Sequence, residues 1–151
     1  MRLVVQRVTR AAVRLDDRVI GEIGPGAVVL AGISASDEVE TAERMADKLV
    51  GLRFFEDPAG RTNLAIDDVG GALLVVNQFT LLADLRRGRR PGFTRAAAPD
   101  DAVPLLDRFI DRLRASGVRV ETGRFGSAMA VELVNDGPFT LVLDSDADLG
   151  S

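Results

Sequence analysis

The 151-residue chain contains no histidine, cysteine, tyrosine or tryptophan. Each absence removes a class of chemistry. A serine–histidine–carboxylate triad needs an imidazole to take the serine proton, and a papain-like site needs both a thiolate and an imidazole. Structural and hydrolytic zinc sites draw mainly on histidine and cysteine. Disulfides are excluded outright, and the lack of thiols fits a reducing compartment. Any catalysis must therefore come from carboxylates, hydroxyls, arginines, main-chain dipoles, a metal held by oxygen alone, or the substrate itself.

Long apolar runs are also missing. No stretch approaches the roughly 18 to 20 apolar residues that span a bilayer, and Met1-Arg2-Leu3-Val4-Val5-Gln6-Arg7 turns polar too early for a signal peptide. The expectation is a soluble, cytoplasmic protein. With 46% hydrophobic residues in 151, the chain supports one packed domain and not two. A net charge of −4 argues against broad, non-specific nucleic-acid binding, which needs excess Lys and Arg to displace counterions. Yet Arg86, Arg87, Arg89, Arg90 and Arg95 crowd into ten residues. That run suits local phosphate contact, and it equally suits a solvated loop.

Apolar patterning divides the chain into elements. Leu3 to Val8, Ala11 to Leu15, Arg18 to Ile23 and Ala27 to Ile33 read as strands, separated by turns at Asp16-Asp17 and Gly24-Pro25-Gly26. Asp37 with Glu40 resembles a helix cap, and Val39, Ala42, Met45, Ala46, Leu49 and Leu52 recur at helical spacing, predicting a helix near 37–51. Leu52 to Phe55 and Ala72 to Val76 read as strands. Val103, Leu106, Phe109, Ile110 and Leu113 predict a second helix near 100–115, with Pro104 tolerated only in its first turn. Val118 to Glu121, Ser127 to Val134 and Phe139 to Asp144 complete the strands, the last two joined by Asn135-Asp136-Gly137-Pro138. The pattern indicates a sheet-rich α/β domain with two helices over one sheet face.

Two polar segments stand out. Asn77-Gln78-Phe79-Thr80-Leu81 ends the most apolar strand, a usual place for a ligand site, although Gln78 and Thr80 also suit the solvated face of a strand leaving the core. Asn135-Asp136-Gly137-Pro138-Phe139-Thr140 uses ordinary hairpin-turn vocabulary. Its Gly-Pro bond also permits a cis peptide for about 0.5 to 1 kcal/mol. A cis Gly137-Pro138 unit would turn two neighbouring carbonyls to one side, where they could hold an ammonium group. Asp144-Ser145-Asp146-Ala147-Asp148 resembles the opening of a calcium loop but lacks the closing glutamate. Residues 145–151 are therefore expected to be a solvated acidic tail following a domain of residues 1–144.

Gln78-Phe79-Thr80-Leu81 and Asn135-Asp136-Gly137-Pro138 with Thr140 together resemble the two signature motifs of the D-aminoacyl-tRNA deacylases. Gln6-Arg7-Val8, Asn63-Leu64, Asp68-Val69-Gly70-Gly71, Gly88 through Phe93, Arg95-Ala96-Ala97-Ala98-Pro99 and Thr122-Gly123-Arg124-Phe125-Gly126 also look like family segments. Asn77 stands where the family usually has Ser, and Phe139 where it usually has Val.

The resemblance implies a three-layer α/β/β fold and a homodimer with a site at each side of the subunit interface. Each site would receive Gly137-Pro138, the family's Gly-cisPro motif, from the partner chain. It implies hydrolysis of the ester bond of D-aminoacyl-tRNA, and of glycine mischarged on tRNA-Ala, without a cofactor, as chiral proofreading in translation. Phe79 and Thr80, beside Gln78, would stabilise the reacting carbonyl. Arg7 and Asn135 would hold the Gly137-Pro138 loop, while Met129 and Phe93 would line the pocket. Three other readings stay open: a non-catalytic RNA-binding dimer, an oxygen-ligated metal hydrolase, and a deacylase tuned to another misacylated tRNA.

Overall fold

The structure, a computed structural model, describes residues 1–150. Alternation builds the first strand, β1 (Arg2–Leu15), which buries Leu3, Val5, Val8, Ala11 and Val13. Two strands were expected here. The chain instead stays extended through the exposed Thr9 and Arg10 and changes partner. Arg2 to Val8 pairs antiparallel with β3 (Gly26–Gly32), and Ala11 to Leu15 with β2 (Arg18–Ile23).

β6 (Ala72–Asn77) lies parallel to β3, and β7 (Arg119–Thr122) parallel to β6. The order is β2-β1-β3-β6-β7, with β8 (Ala130–Asp144) paired along β1. A separate antiparallel ribbon joins β4 (Arg53–Glu56) to β5 (Thr62–Ala65). Parallel neighbours require crossovers, and these contain α1 (Val39–Gly51) and α2 (Pro99–Ala115), which pack on each other.

Residues on opposite faces of the sheet feed two cores. On the helix side, Ala42, Met45, Ala46 and Leu49 of α1 and Leu106, Phe109, Ile110 and Leu113 of α2 join Leu3, Val5, Val29, Leu73, Val75 and Val120. On the far side, Val8, Ala11, Val13 and Ile23 join Val28, Ala72, Leu74 and Val76. Each large side chain buried this way contributes about 1.5 to 3 kcal/mol of transfer free energy. The far half of β1, with β2, thus covers the sheet that the helices cover from the other side. This is the expected α/β/β layering.

Four local expectations are corrected. Glu38, not Asp37, precedes α1, and its N–H donates to Thr41 Oγ1 at 3.3 Å. Asp37 instead accepts from Ser34 N–H at 2.7 Å and pairs with the Met1 ammonium. Pro104 lies inside α2 beyond its first turn, so the helix forgoes the hydrogen bond its amide would have made to Asp100. That carbonyl sits at the exposed helix start, where water can replace the donor.

The third correction concerns β8, which is one strand and not a hairpin. Both of its halves pair antiparallel with β1, with Val8 opposite Asn135 and Gln6 opposite Thr140. Asp136, Gly137, Pro138 and Phe139 form a four-residue excursion facing Arg7 alone.

Fourth, the described part of the acidic tail is docked. Ser145–Asp148 forms a third helix, a short one (α3), capped by the Asp144 carboxylate, which accepts from Asp146 N–H at 3.0 Å. Ser145 N–H donates to Met1 O at 2.9 Å, and Leu149 packs against the helix-side core.

Candidate active site

The apolar strand β6 delivers its polar end to the surface beside β3. Gln78 N–H donates to Ala31 O at 2.8 Å, as a last ladder bond, and the chain then tightens into a 3₁₀ turn, Phe79–Leu82. The first internal bond of that turn is Leu81 N–H to Gln78 O at 3.2 Å. The N–H groups of Phe79 and Thr80 come before it and stand free of the turn's own ladder. Gly32 allows the close approach, since a Cβ there would meet Gln78 O and Leu81 Cβ, each at 3.1 Å.

Facing the turn is a cavity of about 650 Å³, bounded by Asn77, Gln78 and Phe79 on one side and by Phe93, Ala97, Phe125, Met129 and Val131 on the other. Main-chain bonds fix these segments to the sheet. Ala97 N–H donates to Ile33 O at 2.9 Å, and Gly123 N–H to Val75 O at 3.2 Å. Phe79 is 48% exposed and meets Phe93 edge-on, with ring centroids 5.2 Å apart. Two aromatic faces are therefore held open at the rim, geometry suited to a flat ring or an extended apolar group. The Thr80 side chain does not line the cavity; its hydroxyl accepts a hydrogen bond from the Gln78 amide.

A second constellation surrounds the β8 excursion. The Gly137-Pro138 peptide bond is cis, and both residues are exposed. Beneath them lies Arg7, only 6% exposed. Its Nε–H donates to Asp136 O at 3.0 Å and its Nη1 to Phe54 O at 2.8 Å. The guanidinium lies 4.6 Å from the centroid of the Phe139 ring, and the carboxylates of Asp136 and Glu56 stand at 3.8 and 4.0 Å. Asn135 closes the base of the excursion, its amide donating to Thr140 Oγ1 at 2.9 Å while its Oδ1 accepts from Phe139 N–H at 2.7 Å.

Of the residues singled out in the sequence, Gln78, Phe79, Phe93 and Met129 converge on the cavity, whereas Arg7, Asn135, Gly137 and Pro138 form a separate group that does not line it. Sequence reasoning missed Phe54, whose carbonyl holds Arg7, and Phe125, Ala97 and Val131 of the cavity wall. Nothing in a sequence marks a carbonyl as an anchor. Phe125 had a signal, its place in Thr122-Gly123-Arg124-Phe125-Gly126, but no assigned role. The residue at 139, unusual for its position in the resemblance, meets both Arg7 and Phe54, with the Phe54 and Phe139 rings stacked at 6.4 Å.

Comparison with known proteins gives a consistent picture. Residues 4–144 match the family model for D-Tyr-tRNA(Tyr) deacylase. The D-aminoacyl-tRNA deacylase of Symbiobacterium thermophilum is 57% identical over 146 residues, covering 97% of each chain. That of Anaeromyxobacter dehalogenans is 56% identical over 145 residues, covering 96% of this chain and 97% of its own. Among solved structures, a c-Myc DNA unwinding element binding protein superposes with a TM-score of 0.90 at 38% identity, over 95% of this chain and 98% of that one. A probable eukaryotic D-amino acid tRNA deacylase shares the fold, with a TM-score of 0.83 at 20% identity. With the model spanning nearly the whole sequence and full-length relatives this similar, the chain belongs to the D-Tyr-tRNA(Tyr) deacylase family.

Proposed function

We propose that this protein hydrolyses the ester of D-aminoacyl-tRNA, and of glycyl-tRNA, as a cytoplasmic homodimer that proofreads chirality. The observation that carries the reading is the pairing of full-length family identity with a cavity lined by Gln78 and Phe79, where the 3₁₀ turn begins and its first N–H groups lie outside its own ladder.

The chemistry asks little of side chains. An aminoacyl ester is already labile; water attacks its carbonyl carbon, and the ribose 3′-oxygen leaves with a proton, assisted by the neighbouring 2′-hydroxyl. The protein supplies orientation and two N–H donors for the developing oxyanion, each worth about 10² to 10³ in rate. A chain without histidine or cysteine is adequate for that work.

Selectivity in this reading comes from main chain. The Gly137 and Pro138 carbonyls accept the α-ammonium, an L side chain is driven into rigid backbone, a D side chain points outward, and glycine passes. The two constellations lie apart within one chain, which supports donation of this loop to the partner's cavity. The outer edge of β8 supports the same arrangement. Fifteen residues long and, among the described residues, paired with β1 alone, β8 leaves its other edge open beside the exposed Val134 and the 63%-exposed Val142, an edge that a second copy would cover.

Incubation with D-Tyr-tRNA and L-Tyr-tRNA tests the proposal. Release of D-tyrosine alone is the expected result; retention of both esters would favour a non-catalytic RNA-binding protein. A separate expectation concerns Thr80. Its hydroxyl already accepts from the Gln78 amide, and among the described residues no base bonds to it to activate it as a nucleophile. Thr80→Ala should keep single-turnover hydrolysis within about 10-fold of the parent, since both backbone donors survive. Complete loss of turnover with tRNA binding intact would make the hydroxyl the nucleophile.

A further inference from the structure

One strongly charged feature lies outside both constellations. Residues 84–92 form a closed loop, sealed where Asp84 and Gly92 exchange main-chain hydrogen bonds of 2.7 and 2.9 Å and turned at Gly88, whose φ is +63°. Asp84 binds Arg86 in bidentate fashion, at 2.9 and 2.8 Å. This pair neutralises the loop's lone acid and one of its arginines, and it braces the stem. Arg87, Arg89 and Arg90 remain exposed, and among the described residues none has an ion-pair partner. Leu85, 71% exposed, stands beside them.

The location decides what such a loop can do. Gly92 closes it and Phe93, the next residue, forms the cavity rim against Phe79, so the loop is rooted beside the mouth of the site. Elsewhere the molecule is acidic, with a net charge of −4 that includes these cations. On a molecule of net negative charge, this cluster of cations is a local point of attraction for a polyanion approaching the cavity. We infer that Arg87, Arg89 and Arg90 grip backbone phosphates of the RNA acceptor stem next to the ester-bearing 3′ end, while Arg86 is a strut that keeps the loop in shape. The assignment rests on the deacylase reading above and extends it to the binding surface.

The test uses full-length protein and uncharged tRNA, with affinity followed by fluorescence anisotropy from 50 to 200 mM salt. Replacing Arg87, Arg89 and Arg90 together by Gln should lower the slope of log affinity against log salt by about 2 to 3, one unit for each lost phosphate contact. With D-Tyr-tRNA the same variant should show KM raised at least about 10-fold and kcat within about 2-fold of the parent, because the loop touches neither reacting atoms nor the Phe79-Thr80 amides. An unchanged salt slope overturns the assignment, as does a parent protein that binds no tRNA or that binds a B-form DNA duplex of acceptor-stem length just as tightly. If the parent binds tRNA with the expected slope but releases no D-tyrosine, the hydrolase reading fails and the phosphate grip stands.

Discussion

Arg7→Ala is expected to lower stability by about 2 to 4 kcal/mol, because two charge-assisted hydrogen bonds to main-chain carbonyls disappear from a buried position. The Phe54 and Asp136 carbonyls lose their donor together, and the Phe139 ring loses the guanidinium it faces. The functional loss should be larger. With its floor removed, the Gly137-Pro138 excursion no longer holds one position, and misplacement on the order of 1 Å at a site of this kind costs about 100-fold in turnover. Arg7→Lys separates charge from shape. An ammonium can satisfy one carbonyl but cannot span both while stacking on Phe139, so it should recover stability in part and turnover very little. Urea denaturation and single-turnover release of D-tyrosine measure the two quantities. A variant as stable and as fast as the parent would show that Arg7 holds nothing.

Gly137→Ala should act on the same loop from above. Gly137 has φ of +138°, a conformation an L side chain rarely adopts, and a Cβ there would stand 2.9 Å from Phe139 N and 3.1 Å from Arg7 Nη2. The first neighbour is backbone and cannot swing aside; the second is the guanidinium that braces the loop. Strain of this sort costs about 1 to 3 kcal/mol. Relief comes by displacing the excursion, whose outer side faces solvent. The folded protein should therefore survive with only modest destabilisation, while release of D-tyrosine falls by about 100-fold or more. A cooperative urea transition alongside lost activity is the expected pair of results. Full activity would mean that these main-chain atoms do not position substrate.

Much of the architecture could be read from periodicity. Ala42, Met45, Ala46 and Leu49, and Leu106, Phe109, Ile110 and Leu113, marked both long helices because their burial follows the 3.6-residue repeat. The failures have physical causes. Thr9-Arg10 looked like a break because polar pairs often end strands, yet β1 only changes partner there. Asn135 to Pro138 looked like a hairpin because turn chemistry is local, whereas continued pairing of both flanks with β1 is a long-range fact. β5 has no buried residue and so left no apolar signal. The docked tail depends on a contact with the opposite end of the chain.

The site was less legible than the fold. Gln78 and Thr80 attracted notice as polar interruption at a strand end, but Arg7, Phe93 and Met129 lie far apart in the sequence and were singled out only through family resemblance. The anchoring carbonyl of Phe54 has no sequence signature at all.

The way β8 resumes its ladder after the excursion also bears on how the loop is held. Register against β1 is held at Val8 with Asn135 on one side and at Gln6 with Thr140 on the other, so the ladder resumes past the excursion. Residues 136–139 are an insertion in the ladder and not a turn between strands: the pairing on either side fixes where the excursion leaves and rejoins β8, while Arg7 and Phe139 fix its shape.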